Sequence, residues 1–310
     1  MSFRRPVARQ MPPVFSVRDA YANDMTRGQL RNPALQHPFR GVRAAPGVEI
    51  RLLERCAAFA ASSPRVQVFS HVTAALLHGM PLPERFDNAP LHVMSPASAR
   101  STKASGTVGH SATFNSLEVV AVRGIPVTTV ERTWCDLAAI LGFADLVAAG
   151  DSLLWHENPA TTIERLRDAV ARYPSQRGRR RMRAALNSLS DHSRSRPESL
   201  LRLAVVASSL PDPVPNYPVF LPLSGKRIEI DLAFPDYKVG LEYQGDHHRT
   251  DRRQWRSDVR RGNDAVDENW SMIYVTGDDL GNFDDVIART ERRLRARGWN
   301  GKRAVSPKQR

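Results

Sequence analysis

The stretch KRIEIDLAFPDYKVGLEYQGDHH, residues 226–248, is the one around which this chain is organised. Apolar residues alternate with polar or small residues on both sides of a turn, and this period of two predicts a β-hairpin. The predicted apolar face consists of Ile228, Ile230, Leu232, Val239, Leu241 and Tyr243. The opposite face consists of Glu229, Asp231, Ala233, Gly240, Glu242 and Gln244. The hairpin therefore concentrates its carboxylates on one side.

Two of these acids meet across the hairpin if its turn is centred between Asp236 and Tyr237, because Asp231 then lies opposite Glu242. Directly opposed like charges destabilise a strand pair. The pair is therefore predicted to hold a cation, and Mg²⁺ (or Mn²⁺), which prefers oxygen ligands, is the natural one. A solvent-exposed hairpin face with scattered acids is the alternative interpretation.

The residues around the two acids suit the same interpretation. Ala233 and Gly240 are small enough to leave room for an ion and a substrate phosphate. His247 and His248 follow the second strand, where a general base could lie. Upstream, Ser195 and Glu198 have the spacing of a capping box that opens a helix. Glu198 is either the capping acid alone or also a third acid of the site.

The charge balance points to a polyanionic partner. The chain has 310 residues, with 45 Lys and Arg against 32 Asp and Glu, and its net charge is +13. Such an excess favours nucleic acid, although solvated surface arginines would give the same count. The residues predicted to contact DNA are Arg27, Arg31, Arg40, Arg179, Arg180, Arg181, Arg252, Arg253, Arg260 and Arg261.

Other patterns in the sequence argue against membrane and secretory classes. No apolar run is long enough to span a membrane, and the N-terminus lacks the apolar segment of a secretory signal. Cys56 and Cys135 lie far apart in apolar helical patterns, so we expect buried free thiols in a reducing cytoplasm. His71 and His78 have no third metal ligand nearby in the sequence, and both are predicted to be core or capping residues.

Turn signals and composition predict an α+β or α/β chain with three folded parts. Residues 14–47 are predicted to form a winged-helix-like unit, in which Ser16 with Asp19 and Thr26 with Gln29 cap two helices. A small helical cap on the next domain is the alternative for this unit. The other predicted parts are a disordered basic arm (1–13), a mixed α/β middle domain (48–190), a C-terminal mixed sheet flanked by helices (195–298) and a disordered basic tail (299–310).

The C-terminal part, with acids on its second and third strands, resembles the PD-(D/E)xK nuclease superfamily. More narrowly, it resembles the very-short-patch-repair (Vsr)-like endonuclease domain. The resemblance rests on Asp231 in EIDLAFP, Glu242 and Gln244 in GLEYQGDHH, His248, Asp258 and Arg261 in QWRSDVRR, and the strand NWSMIYVT. It implies a restriction-endonuclease-like mixed sheet.

The N-terminal two thirds are similar to the AbiEi-type antitoxin-like region that precedes such domains. This similarity rests on residues 15–47, on SHVTAALLHGMPLP (70–83) and on ERTWCDLA (131–138). A toxin or defence protein is the kind of partner this similarity suggests, and the sequence leaves the existence of such a partner open. The similarity says little about activity.

The nuclease resemblance also implies a mechanism. Asp231 and Glu242 would hold one or two Mg²⁺ ions (or Mn²⁺), and Glu198 matches the acid that often completes the site. The lysine usual in the superfamily is Gln244 here, so the resemblance points to His248 or His247 as the general base. Glutamine cannot accept a proton usefully, and this departure leaves the identity of the base open.

The sequence therefore predicts a metal-dependent DNA endonuclease or nickase. The alternative is a non-catalytic, antitoxin-like DNA-binding regulator that keeps the nuclease fold as a scaffold, and an RNA-directed nuclease is a third interpretation. A homodimer would make double-strand cutting simplest, whereas a monomer would suffice for nicking.

Overall fold

The structure is a computed structural model that describes residues 12–63, 67–193, 195–222, 225–245, 266 and 268–302. The described residues form a mixed α/β protein with several helices and mixed sheets. The chain divides into two compact units. Unit 1 comprises Met1–Leu141 and Glu164–Met182, and unit 2 comprises Gly142–Ile163 and Arg183–Arg310. The sequence analysis places residues 142–163 in the middle domain, whereas the structure groups them with the C-terminal residues.

The described helices and strands are numbered in chain order. The helices are α1 (Val17–Ala22), α2 (Arg27–Leu30), α3 (Leu52–Ser62), α4 (His71–Leu77), α5 (Val130–Leu137), α6 (Phe143–Leu154), α7 (Ile163–Arg172), α8 (Arg179–Leu186), α9 (Arg196–Ala207) and α10 (Asp284–Ala296). The strands are β1 (Val14–Ser16), β2 (Val42–Ala44), β3 (Val68–Phe69), β4 (Leu91–Pro96), β5 (Thr107–Ala112), β6 (Val119–Val122), β7 (Ile125–Thr128), β8 (Val214–Leu221), β9 (Lys226–Phe234), β10 (Val239–Tyr243) and β11 (Ser271–Val275).

Unit 1 begins with the two short helices that the sequence predicts. The Ser16 side chain accepts a hydrogen bond from the Asp19 amide at the start of α1. Thr26 and Gln29 form the predicted reciprocal capping box at the start of α2. Strands β1 and β2 pair antiparallel beside these helices. The local signals in this segment therefore specified its helix starts correctly, because each cap depends only on residues three apart.

The larger sheet of unit 1 has the strand order β5-β4-β3-β7-β6. Strand β4 pairs parallel with β5, and β3 pairs parallel with β7, while the other two pairings are antiparallel. One of its core clusters joins Phe69, Leu91 and Val127 of the sheet to Phe59 of α3. Cys56 and Cys135 are buried free thiols, as the sequence predicts.

The sheet of unit 2 has the order β11-β10-β9-β8, with β10 and β11 parallel and the other pairs antiparallel. The apolar composition of β11 would suit a central strand, but in the described part of the sheet it lies at an edge. Strand β11 is apolar because core residues pack against both of its faces. Ile273 and Val275 belong to one core cluster, and Met272 belongs to a second.

The hairpin of β9 and β10 has the predicted register. Val239 lies opposite Phe234, Gly240 opposite Ala233, and Leu241 opposite Leu232. A short 3₁₀ turn at Pro235–Tyr237 joins the strands, followed by Lys238 with a φ of 47°. The turn is therefore centred where the sequence analysis places it.

The predicted alternation of β9 is wrong at one point. Leu232 and Phe234 belong to the core cluster around Leu241, whereas Ile230 packs with Met272 in the other cluster. The pairing of β8 with β9 shows where the pattern breaks, since it has no pair between Pro215↔Leu232 and Tyr217↔Ile230.

Asn216 and Asp231 face each other at this break. Asn216 has a φ of 45°, a left-handed backbone conformation that interrupts a ladder. Irregularities of this kind bend a strand and redirect its side chains, and they often occur next to functional sites. The interruption explains why Ile230 and Leu232 lie on opposite faces although two positions separate them.

The space predicted above Gly240 for an ion and a phosphate is filled by side chains. A Cβ atom at Gly240 would lie 2.8 Å from the Met272 sulfur and 2.9 Å from Cγ2 of Ile230. Both contacts are too short for carbon, so only glycine lets these two side chains pack here. Gly240 therefore serves core packing, and the predicted ion site does not lie on this face of the sheet.

A buried carboxylate connects α6 to α9 in unit 2. The Asp151 residue is 0% exposed, and its Oδ2 accepts hydrogen bonds of 2.7 Å from both the Ser199 hydroxyl and the Arg202 guanidinium. Oδ1 accepts a third from the Ser190 amide at 2.8 Å. Burial raises the pKa of Asp151, while Arg202 and these hydrogen bonds oppose the shift. The ion pair explains why residues 142–163 belong to unit 2.

The C-terminal end of the described chain is packed against the same unit. Trp299, which the sequence analysis assigns to the disordered tail, is 4% exposed and belongs to the core cluster of Leu241 and Val286. Its Nε1 donates to the Lys302 carbonyl. Residues 1–11 of the predicted arm and 303–310 of the predicted tail lie outside the described residues. Within the described part of the arm, the Pro13 carbonyl accepts a hydrogen bond from the Ala45 amide. No helix in the described part of the chain is long and apolar enough to cross a membrane.

Replacing Asp151 by alanine is expected to lower the free energy of unfolding by about 3–5 kcal/mol, because Arg202 would be left as a buried charge without its partner. Denaturant unfolding followed by circular dichroism measures the change. Asp285→Ala is the matched control: it removes an ion pair with Arg289 at an aspartate that is 74% exposed. That substitution should cost less than about 1 kcal/mol, and equal effects of the two changes would contradict the assigned role of Asp151.

Gly240→Ala is expected to destabilise the protein by about 1–3 kcal/mol, because the new methyl group would overpack Ile230 and Met272. Gly281→Ala is the control, since a Cβ there would meet no atom within 4 Å. A thermal-melting comparison distinguishes the two positions. An unchanged melting temperature for Gly240→Ala would show that the space beside this glycine is open after all.

Candidate functional site

Four acidic residues of unit 2 line one small cavity, which we call the acid pocket. Its volume is about 230 Å³. The residues that line it are Trp155, His156, Glu157, Glu198, Asn216, Glu229 and Asp231. They come from the segment after α6, from the first turn of α9, and from the two strands β8 and β9. The pocket therefore joins two predicted site residues, Glu198 and Asp231, with others that the sequence analysis does not assign to the site.

Glu198 is placed by the cap of α9. The Ser195 hydroxyl accepts from the Glu198 amide at 3.4 Å and donates to Oε1 of Glu198 at 2.7 Å. The predicted helix start with Ser195 as N-cap is thus confirmed. The Glu198 carboxylate bonds to the Ser195 hydroxyl and also lines the pocket. The two roles proposed for Glu198 from the sequence, contact with the helix cap and membership of the site, are compatible, because this residue lies in the first turn of α9.

Asp231 and Glu229 come from β9, at the interruption opposite Asn216. Oδ2 of Asp231 accepts a hydrogen bond of 2.8 Å from the Tyr243 amide of β10. This bond fixes the carboxylate at the end of the hairpin. Asn216 also lines the pocket, and its left-handed backbone is the local distortion that accompanies the placement of both acids.

His156 is the histidine among the residues that line the pocket. Its Nδ1 lies 3.0 Å from the carbonyl oxygen of Asp191, and its amide donates to the same oxygen at 3.0 Å. A carbonyl oxygen only accepts hydrogen bonds, so Nδ1 carries the proton and Nε2 carries the lone pair. His156 can therefore accept a proton through Nε2.

The structure does not place the other predicted catalytic residues in this pocket. Glu242 and Gln244 are absent from its described lining. Glu242 pairs in register with Tyr274 of β11, which packs against the cluster of Ile230 and Met272. The backbone amide of Gln244 donates a hydrogen bond to the Val275 carbonyl at 2.7 Å. His247 and His248 lie outside the described residues.

The predicted DNA-binding arginines have different environments. Arg27, Arg31 and Arg40 are exposed on unit 1, and so is Arg180. Arg179 and Arg181 instead donate to the carbonyl oxygens of Tyr173 and Ala138, so part of their donor capacity is used within the protein. A cavity of about 640 Å³ lies beside these two residues, lined by 138–139 and 176–181. Arg252, Arg253, Arg260 and Arg261 lie outside the described residues.

Unit 1 contains a second group of chemical interest, the histidine cluster of His71, His92 and His110. One ring nitrogen of each lies within 4.8 Å of those of the other two. Nδ1 of His92 is 3.0 Å from Nε2 of His110, and the rings of His71 and His110 stack with centroids 3.6 Å apart. His92 and His110 lie on the adjacent strands β4 and β5, while His71 is the first residue of α4.

Burial keeps these imidazoles neutral. It lowers the pKa of His92 to about 4, with the neighbouring His110 adding to the effect. The pKa of His71 is lowered well below its usual value, first by burial and then by His110, His92 and Arg132. Burial also lowers the pKa of His110. Neutral imidazoles carry the lone pairs that metal ions bind.

The sequence analysis missed this cluster because it looked for ligands close together in the chain. It predicts His71 as a core or capping residue. The structure shows no side-chain cap at the start of α4, since the Ser70 hydroxyl instead contacts Nδ1 of His71 at 2.9 Å. The available signal was weak: His92 and His110 each occupy a short strand, but their pairing depends on the order of the sheet.

Comparison with known proteins does not assign the chain to a family. No protein-family model matches it. It is 28% identical over 285 residues to uncharacterized protein Rv2248 of Mycobacterium tuberculosis strain ATCC 25618 / H37Rv and, equally, to uncharacterized protein MT2308 of strain CDC 1551 / Oshkosh. Each alignment covers 88% of this chain and 100% of the relative. Among solved structures, the chain is similar to the RV2827C protein of M. tuberculosis, with a TM-score of 0.43 and 17% identity over 71% of this chain and 88% of that one. The acid pocket and the histidine cluster are therefore the features that bear on function.

Proposed function

We propose that this chain is a metal-dependent DNA endonuclease or nickase of the cytoplasm, and that the acid pocket is its catalytic centre. The observation that carries the proposal is the convergence of Glu198, Glu229 and Asp231 on one cavity of about 230 Å³. The same proposal treats residues 14–47 as a winged helix-turn-helix and residues 195–298 as a PD-(D/E)xK nuclease-like domain.

The donor set of the pocket suits a hard divalent cation. Four carboxylates, those of Glu157, Glu198, Glu229 and Asp231, and the side-chain amide of Asn216 offer oxygen ligands, which Mg²⁺ and Mn²⁺ prefer. Asp231 is already oriented by the Tyr243 amide, and Glu198 by the Ser195 hydroxyl. Side chains fixed in this way meet the requirement that ligands of a catalytic ion be held in place before it binds. When bound, such an ion supplies charge stabilisation at a phosphoryl oxygen and a more acidic water.

The protein itself would handle the proton. His156 holds its Nδ1 proton on the Asp191 carbonyl, so Nε2 is the atom that accepts a proton from an attacking water. This assignment gives the pocket a general base in addition to His247 and His248, which the nuclease resemblance suggests. The glutamine at 244 is then no obstacle to catalysis.

The charge of the protein favours DNA as the substrate. A net charge of +13 attracts the phosphate backbone and makes binding sensitive to salt. Arg27, Arg31 and Arg40 are exposed beside the two capped helices of unit 1. We assign these arginines, together with Arg180, to phosphate contacts.

The same exposed arginines support a second candidate function. A non-catalytic, antitoxin-like DNA-binding regulator would need the capped helices of unit 1 and the basic charge, but not the carboxylates of the acid pocket. Such a protein would bind DNA equally well with or without a divalent cation. The two candidates therefore differ in what the loss of an acid does.

A plasmid-cleavage assay with Mg²⁺, Mn²⁺ or EDTA separates these candidates. Wild-type protein is expected to nick or linearise supercoiled DNA only with a divalent cation. Asp231→Asn and Glu198→Gln should each reduce the rate about 100-fold or more, because charge stabilisation by a metal is worth several kcal/mol and about 1.4 kcal/mol is a factor of ten. Binding to DNA, measured by gel shift, should persist in both variants.

Asp236→Asn is the matched control, because Asp236 is an exposed acid in the turn of the same hairpin. This variant should cut DNA like wild type. Glu229→Gln and Glu242→Gln, measured side by side, identify which acid completes the centre with Asp231. Wild-type protein that shifts plain, methylated and mismatched DNA but cuts none of them would overturn the nuclease and leave the regulator.

A further inference from the structure

We propose that His71, His92 and His110 form a binding site for one divalent transition-metal ion that prefers nitrogen ligands, with Zn²⁺ as the reference ion. This site lies in unit 1 and is independent of the acid pocket in unit 2. Its three ligands come from α4, β4 and β5. The proposal rests on the geometry of the rings, on their burial and on a buried carboxylate beside them.

The spacing of the ring nitrogens is close to that of a metal centre. In a tetrahedral zinc site, bonds of about 2.0–2.1 Å place neighbouring nitrogens about 3.3 Å apart. Nδ1 of His92 and Nε2 of His110 are 3.0 Å apart, and all three ligand atoms lie within 4.8 Å. Closing the cluster around an ion also requires at least one of the stacked rings of His71 and His110 to rotate so that its lone pair turns toward the ion, a change of side-chain torsion rather than of fold.

The strands and the helix fix the backbones of two of the histidines. The backbone amide of His92 donates to the Thr73 hydroxyl at 2.7 Å, which ties β4 to α4. His71 has a φ of 49°, a conformation that costs a non-glycine residue about 1–3 kcal/mol and persists only where surrounding structure imposes it. His110 is less buried than the other two, and an ion could enter on its side.

A buried carboxylate lies on the outer side of His71. Oδ2 of Asp136 is 4.0 Å from Nδ1 of His71, and it accepts no hydrogen bond from the described residues. The other oxygen, Oδ1, is occupied, because it accepts from Nε of Arg132 at 3.0 Å and from the Tyr173 hydroxyl at 2.8 Å. Asp136 is 1% exposed, so its unpaired oxygen is a costly feature unless it has a partner.

This carboxylate is the outer-shell group that metal-binding histidines usually have. A ligating histidine donates its second ring N–H to a carboxylate or carbonyl, which fixes the tautomer and raises the basicity of the ligand nitrogen. Nδ1 of His71 lies 2.9 Å from the Ser70 hydroxyl and 4.0 Å from Oδ2 of Asp136. With its proton on Nδ1, His71 donates to the Ser70 hydroxyl and presents the lone pair of Nε2 to the ion. Asp136, held by Arg132 and Tyr173, acts as a positioning residue only if the imidazole turns its Nδ1 proton from Ser70 toward it.

The chemistry of the ligands separates this site from the acid pocket. Three imidazole nitrogens favour Zn²⁺, Co²⁺, Ni²⁺ or Cu²⁺, whereas Mg²⁺ and Mn²⁺ favour oxygen ligands. Three protein ligands would leave a fourth position to water, as in open zinc sites rather than closed structural ones. The chain would therefore bind two kinds of ion at two places.

The test uses the full-length chain, stripped with a chelator and then titrated with ZnCl₂ by isothermal calorimetry. Wild type is expected to bind one Zn²⁺ per chain at the cluster and to show the visible absorption of nitrogen-ligated Co²⁺ when cobalt replaces zinc. His92→Gln/His110→Gln should bind Zn²⁺ at least about 100-fold more weakly, a larger loss than an outer-shell change alone gives. His110→Gln alone, at the least buried position, should also lose the cobalt spectrum if the fold is intact.

Two controls separate the cluster from other metal sites. His37→Gln changes an exposed histidine outside the cluster and should bind Zn²⁺ like wild type, and so should Asp236→Asn at the exposed acid in the hairpin turn. Zn²⁺ should also raise the melting temperature of wild type and His37→Gln but not of folded His110→Gln, as expected of a ligand that binds only the native state. Equal Zn²⁺ affinity in wild type and His110→Gln, or no bound Zn²⁺ in wild type, would overturn the proposal whatever the plasmid assay shows.

Discussion

The carboxylate of Asp151 is the constraint on which the arrangement of unit 2 depends. Buried charges are stable only when they are paired and hydrogen-bonded, and Asp151 meets this condition through Ser199 and Arg202 of α9. A second ion pair, between Asp145 and Arg196 at 2.8 Å, joins the same two helices. Because α6 is fixed to α9, the segment that follows α6 lies beside Glu198, and the acid pocket has its helical wall.

The strand wall of the pocket depends on a single irregularity. A regular ladder would carry Ile230 and Leu232 on the same face, but the gap in pairing at Asn216 and Asp231 separates them. The sheet therefore has an apolar core on both of its faces, and Glu229 and Asp231 of β9 line the acid pocket. A local backbone distortion of this kind has an energetic cost, and functional sites are where such costs are commonly found.

The two candidate metal sites use opposite coordination chemistry in separate units. The acid pocket offers oxygen ligands in a small cavity, whereas the histidine cluster offers nitrogen ligands that burial keeps neutral. In both, the groups that would bind an ion are oriented by neighbours. Ser195 and the Tyr243 amide hold the carboxylates, while Ser70 and Thr73 hold two of the histidine residues.

The sequence by itself determined the local features: the caps of α1, α2 and α9, and the hairpin register that centres its turn between Asp236 and Tyr237. These follow from interactions over a few residues, which alternation and capping patterns record directly. Tertiary structure alone decided that Gly240 receives Ile230 and Met272, that Asp231 meets Glu198 and His156, and that His71, His92 and His110 come together. The physical reason is that these contacts join residues tens of positions apart, whose proximity depends on strand order and helix packing and leaves no periodic signal in the chain.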